Sequence, residues 1–249
     1  MNCAILNELI SRRDTDLDRL SRLKALTWLS APELTLLLGV LAIANFKRRD
    51  VILHEAALVS EVNILLTGIA RITCMNARRE RVTIALLAPG PILEFTALPM
   101  SHSDVQCEAY NDCRVGSLSR DKFEGITEQS TESAFKHLRK NDPRHGYQTS
   151  RRSPSFLNLR LHERVAITLL ELCSDFGIEE SRGTLLRVSF SHKEIANLAR
   201  ASRPRVTEQL ARLEREKLVI QGRQLIVRIA EMQESIGSTS IDLPCRRDG

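Results

Sequence analysis

The stretch from Ser191 to Arg228 restricts the fold more than any other, because two helical patterns and two short extended runs follow one another almost without a spacer. In the first helix Ile195 and Leu198 recur at i, i+3 and define one apolar face. Ala199-Arg200-Ala201 turns the chain. Ser202 stands where an N-cap belongs, with a hydroxyl able to accept an orphan backbone N–H of the second helix. Pro204 falls in that helix's first turn, where a missing N–H costs little. Val206, Leu210 and Leu213 repeat on one side, while Arg203, Arg205, Thr207 and Glu208 point elsewhere. Such a helix buries one side and offers the other to a groove.

Charge agrees with that reading through its placement rather than its total. The net charge of +5 is mild, and so is a pI near 9.0. The Ser191–Arg228 region, however, holds Lys193, Arg200, Arg203, Arg205, Arg212, Arg215, Lys217, Arg223 and Arg228 against Glu194, Glu208, Glu214 and Glu216. A local excess of this kind suits a phosphate backbone. The cysteines are scattered, without a C-x-x-C pair or a histidine placed for structural zinc, so no metal site is expected. The first residues lack a signal-peptide pattern, and no apolar run approaches the roughly 20 residues that cross a bilayer. These features lead to the expectation of a soluble cytoplasmic protein with reduced thiols and no membrane partner.

Residues 3–29 read as helical, with Leu17, Leu20, Leu23 and Leu26 at a spacing of three, and residues 1–22 as a helical extension. Ser30-Ala31-Pro32-Glu33 has the form of a capping box ahead of an apolar face through Leu34, Leu37, Leu38 and Leu41. From Asn45 to Ser119 the texture changes to short apolar runs separated by turn residues, with Asn76 to Glu80 as a hairpin connection. Pro89-Gly90-Pro91 cannot lie inside a central strand. A β-roll of about eight strands over 23–121 fits this pattern.

Residues 122–174 read as a connecting and dimerisation helix region, interrupted by a polar break near 141–154. After the break Ser153 is placed to cap and Pro154 to open a helix whose face carries Leu161, Val165, Leu169 and Leu172. A second copy of the same helix is the expected cover for that face. Residues 183–231 form the DNA-binding unit, and 232–249 read as a disordered tail.

This order resembles the Crp–Fnr superfamily of bacterial transcription regulators, most specifically over Leu161 to Arg228 and more loosely through Gly68, Pro89-Gly90 and Cys113-Arg114-Val115. The resemblance implies an α+β fold: an N-terminal double-stranded, cyclic-nucleotide-binding-like β-roll, a connecting dimerisation helix and a C-terminal winged helix-turn-helix. It further implies a homodimer on pseudo-palindromic double-stranded DNA, RNA polymerase as a further partner, and no catalytic residues. Ser191 matches the family's cap and phosphate contact, and Ser202 the cap of the recognition helix. Arg203 matches the base-reading arginine, able to fork onto guanine, and Arg205 a backbone contact. Glu208 occupies a second readout position. Lys193, Thr207 and Arg223 complete the expected DNA-binding set. Pro204 stands where several members carry a base-reading glutamate, and Arg200 where the turn glycine usually sits, so the turn either avoids positive φ or carries strain.

The family's cyclic-nucleotide binders carry a Gly-Glu pair and an Arg-Ser/Thr-Ala motif. Here PGPILEF retains only Glu94, and the arginine position falls near Ser103 and Asp104. An anionic phosphate without a cation is unfavourable in a partly buried pocket. No cofactor and no cyclic-nucleotide control are therefore expected, and a lone Cys3 near the start does not suit an iron–sulfur sensor. The alternatives are a small-molecule or cyclic-nucleotide switch with a divergent pocket, and a cupin-like metal site in the roll. Against the latter, His54 and His102 read as scattered surface histidines. Cys107 and Cys113 read as packed thiols rather than a redox pair.

Overall fold

The computed structural model describes residues 15–54, 61–76, 78–92, 105–127 and 154–237. It falls into two compact units, Met1–Pro143 and Arg144–Gly249.

In the first unit, helix α1 (residues 15–21) gives way to a 3-10 turn at Lys24–Leu26, and α2 spans Ala31–Val40. The single helix expected up to residue 29 thus ends early, and its leucines spaced by three continue through the tighter turn. Glu33 accepts the backbone N–H of Ser30 at 2.7 Å, as a capping box requires. Eight strands follow: β1 (Ala42–Phe46), β2 (Val51–His54), β3 (Glu61–Thr67), β4 (Ala70–Met75), β5 (Arg81–Leu87), β6 (Gly90–Pro91), β7 (Gln106–Ala109) and β8 (Cys113–Ser119). They form two antiparallel sheets ordered β1-β8-β3-β6 and β2-β7-β4-β5.

Strand β3 shows why the layers stack in this order. Val62, Ile64 and Leu66 belong to a cluster with Leu20, Leu23, Leu26, Leu34, Leu37 and Leu38 on the helices, while Leu65 belongs to the interior between the sheets. Period-2 alternation therefore serves two cores at once. Among the described residues an apolar cluster lies between the sheets, with Leu65, Ile72, Leu87, Cys107 and Val115 among its members. The expected hairpin at Asn76 joins β4 to β5, and the Asn76 side-chain oxygen accepts from the backbone N–H of Arg78 and Glu80, both at 2.9 Å. Gly68 has φ +92, and a Cβ there would lie 2.4 Å from the Asp112 carbonyl oxygen. Only glycine suits that turn. Helix α3 (Arg120–Thr127) anchors Phe123 in the outer core. The remainder of the helix expected to Lys140, and the polar break up to Ser153, lie outside the described residues.

The second unit begins with α4 (Pro154–Asn158) and α5 (Leu161–Phe176), followed by β9 (Gly177–Glu180) and β10 (Gly183–Leu186). Next come α6 (His192–Leu198), α7 (Arg203–Arg215), β11 (Val219–Ile220), β12 (Ile226–Val227) and α8 (Ile229–Ile236). The strands form one sheet ordered β11-β12-β10-β9.

The second unit departs from the sequence pattern in three places. The helix expected to restart at Pro154 is broken at Leu159-Arg160, where Glu163 accepts the Arg160 N–H at 2.6 Å and starts a new helix. The face expected to meet a second copy is covered by the same chain: Val165, Leu169 and Leu172 are buried as α5 packs on α6, α7, α8 and strands β9, β10 and β12. Residues 161–174 thus pack into the core of the DNA-binding unit. Finally, 232–236, expected to be disordered, are helical in α8, because Met232 and Ile236 are buried against the unit. Residues from 238 onward lie outside the described part.

Candidate nucleic-acid interface

Helices α6 and α7 pack as a helix-turn-helix on α5, with Ile195, Ala196 and Leu198 buried from one and Val206, Leu210 and Leu213 from the other. Ser191 caps α6: its Oγ accepts from the Glu194 N–H at 3.2 Å, and the Glu194 carboxylate accepts the Ser191 N–H at 2.7 Å. Ser202 occupies the N-cap position of α7, but its hydroxyl makes no capping bond, contrary to the use expected for it. That hydroxyl remains available to another acceptor.

All eight expected DNA-binding residues, Ser191, Lys193, Ser202, Arg203, Arg205, Thr207, Glu208 and Arg223, are exposed. Burying the apolar stripe of α7 forces Arg203, Arg205, Thr207 and Glu208 outward. Their chemistry is less uniform. Arg203, Arg205 and Glu208 have no ion-pair partner among the described residues. The Thr207 hydroxyl, by contrast, donates to the Arg203 carbonyl oxygen at 3.0 Å and lies 2.9 Å from His192 Nδ1. One hydroxyl carries one proton, so the imidazole Nδ1 is the donor in that pair. His192 thereby ties α6 to the first turn of α7, a role that no spacing in the sequence announces.

The turn between the helices resolves the question posed by Arg200. It adopts φ +50, the left-handed conformation that glycine would supply without strain. Arg164 of α5 braces it, with Nη1 donating to the Arg200 carbonyl oxygen at 3.0 Å. Arg223 lies in the wing connection between β11 and β12; its carbonyl oxygen accepts from Ser189 Oγ, and Gln224 Nε2 donates to the Arg187 carbonyl at 2.6 Å. The hairpin β9–β10 widens the wing sheet and was not read in the sequence. Its signal was present: Gly183, at φ +131, sits where a Cβ would come within 2.7 Å of the Val227 carbonyl oxygen.

In the β-roll the cations of β4 and β5 face away from the apolar interior. Arg71 donates to Glu108 at 2.6 and 2.9 Å, and Thr73 Oγ1 donates to the same carboxylate at 3.1 Å. Glu94, Ser103 and Asp104 lie outside the described residues. Cys113 is buried and its thiol is pushed up to about 11 by desolvation, while burial raises Cys173 to about 12. Thiols so held are poor nucleophiles. Among the described residues no three His, Cys, Asp or Glu side chains group as metal ligands, and no helix is long and apolar enough to cross a membrane.

Two family models match the chain, a cyclic nucleotide-binding domain over residues 43–130 and a Crp-like helix-turn-helix domain over residues 163–234. The chain belongs to the Crp–Fnr superfamily of transcription regulators. The helix-turn-helix match starts inside α5, in agreement with the burial of that helix in the DNA-binding unit. Among relatives, the global nitrogen regulator of Nostoc sp. is 23% identical over 180 residues, covering 71% of this chain and 80% of that one. Among solved structures, the c-di-GMP-responsive global regulator CLP of Xanthomonas campestris superposes with TM-score 0.60 at 15% identity, covering 80% of this chain and 99% of that one. A Crp/Fnr-family regulator of Thermus thermophilus gives 0.58 at 23% identity, covering 79% and 98%. This chain is accordingly a transcription regulator of the Crp–Fnr type with an α+β fold.

Proposed function

We propose that this Crp–Fnr regulator binds a pseudo-palindromic DNA site as a homodimer, with α7 of each protomer in a major groove and half-sites about one helical turn apart. It acts in the cytoplasm, with RNA polymerase as a further partner and with no catalytic activity of its own. The observation that carries the reading is the exposed set Arg203, Arg205 and Glu208, without ion-pair partners among the described residues, beside the non-capping Ser202 hydroxyl at the start of α7. With α5 taken up in its own unit's core, the dimer contact passes to the helical pattern that opens with α3.

Cyclic nucleotide is not its switch. In support, the described residues between the two sheets include a buried apolar cluster, and Arg71 pairs with Glu108 on the opposite face. Selection on random duplexes at fixed salt tests the DNA reading: a palindromic motif with half-sites about 10 bp apart supports it, and no enriched motif defeats it. Calorimetry with cyclic AMP and cyclic GMP tests the sensor, and micromolar binding of either would overturn that part.

A further inference from the structure

We infer that Arg164, Arg200 and Arg205 form a seat for one phosphodiester group of the DNA backbone, beside the base-reading end of α7 and partly outside the helix-turn-helix. The inference rests on the DNA-binding reading above and adds two residues to it, Arg164 from α5 and Arg200 from the turn.

Three observations converge. Arg164 spends Nη1 on the Arg200 carbonyl oxygen, yet its Nε is shielded from solvent and has no hydrogen-bond partner. A guanidinium held by one backbone bond still has a further terminal donor to offer an anion. Secondly, no carboxylate pairs with Arg164, Arg200 or Arg205 among the described residues, although Arg212 on the same helix α7 pairs with Glu216 at 2.8 Å. Burial, and then the charges of Arg205 and Arg200 nearby, lower the Arg164 pKa. Cations without an acid partner suit an anion. Thirdly, Arg200 keeps φ +50 where glycine would be unstrained. A turn needed only for its shape would gain from glycine. The uncapped Ser202 hydroxyl adds a neutral donor at the same end of α7. Guanidinium forks match the geometry of phosphate oxygens, and each phosphate engaged releases condensed counterions.

The test uses the full chain and a duplex carrying its selected site, with affinity measured across a salt series. Arg200→Gly should raise the thermal midpoint by relieving the turn. It should also weaken specific and random duplexes alike, by roughly tenfold near 0.1 M salt, and reduce the slope of log K against log salt by about 0.9. Arg205→Gln, at an exposed helical position, should reproduce the slope change without the gain in stability. Arg164→Gln should do the same. An Arg200→Gly protein that is more stable but unchanged in affinity and slope would overturn the proposal. Arg203→Ala is the control for the underlying reading: if base preference also survives that change, DNA reading by α7 fails instead. Inorganic phosphate that raises the midpoint of the wild type over matched chloride, with unaltered DNA slopes in the variants, would assign the seat to a small phosphate ligand and also overturn it.

Discussion

Arg71 and Arg114 of the β-roll end on buried carboxylates, whereas the exposed Arg200, Arg203 and Arg205 of the second unit have none among the described residues. In the roll, Glu108 holds Arg71 at 2.6 Å and Asp16 holds Arg114 at 2.7 Å, with both acids almost fully buried. In the helix-turn-helix Glu194 caps α6 and Glu216 takes Arg212, while Glu208 stands exposed without an ion-pair partner among the described residues. The same side chain thus does two jobs, and the partner decides which. A guanidinium matched to a buried carboxylate holds strands and helices in register. One left unmatched at an exposed helix end is free, under the proposed function, to meet phosphate or guanine.

The contrast can be broken most forcefully at Glu108. Glu108→Ala strands Arg71 and should cost about 3–5 kcal/mol of folding stability by urea denaturation. The affinity of the folded protein for DNA should not change, and a comparable loss of binding would show the two regions to be coupled. Acid offers a gentler version. Burial pushes Asp16 and Glu108 up, but hydrogen bonds from Arg114 and Arg19 to one, and from Gln106 and Arg71 to the other, outweigh it and leave both below their ordinary values. Their contribution is complete above the ordinary carboxylate range near pH 4 and is lost as pH falls through the lower folded values. Asp16→Asn with Glu108→Gln should therefore flatten the fall of the thermal midpoint below about pH 4.

Leu169→Ala should cost about 2–5 kcal/mol, because the side chain is fully buried in its own unit. Sedimentation should show the dimer intact, and dissociation at unchanged stability would return α5 to the role of dimerisation helix. Arg203→Ala should cost about 1–3 kcal/mol of DNA affinity and relax one base position. A uniform loss over all sequences would move Arg203 to the backbone set. Ser191→Ala should be the smallest, about 1 kcal/mol of stability from the lost cap of α6.

How much could be read in advance depended on the range over which the deciding force acts. The stripe Val206, Leu210 and Leu213, the box Ser30–Glu33, and the Asn76 hairpin are written within a few residues, and all appear as expected. The burial of α5 is different. Its apolar face looks alike whether a second copy or its own chain covers it, and only the packing of α6, α7, α8 and the strands chooses. Helix α8 went unread for a related reason, since it is held by Met232 and Ile236 against a core assembled from elsewhere. The bond from His192 to Thr207 spans two helices whose angle no spacing specifies.

The sequence by itself determined the order of the elements, the family, and which side of α7 is polar, because periodicity, caps and turn residues are local properties. Tertiary structure decided the partners: which arginines are neutralised, which hydroxyl is free, and that Arg200 keeps a left-handed turn braced by Arg164. Ion pairs and buried donors depend on distances between residues far apart in the chain, and packing sets those distances.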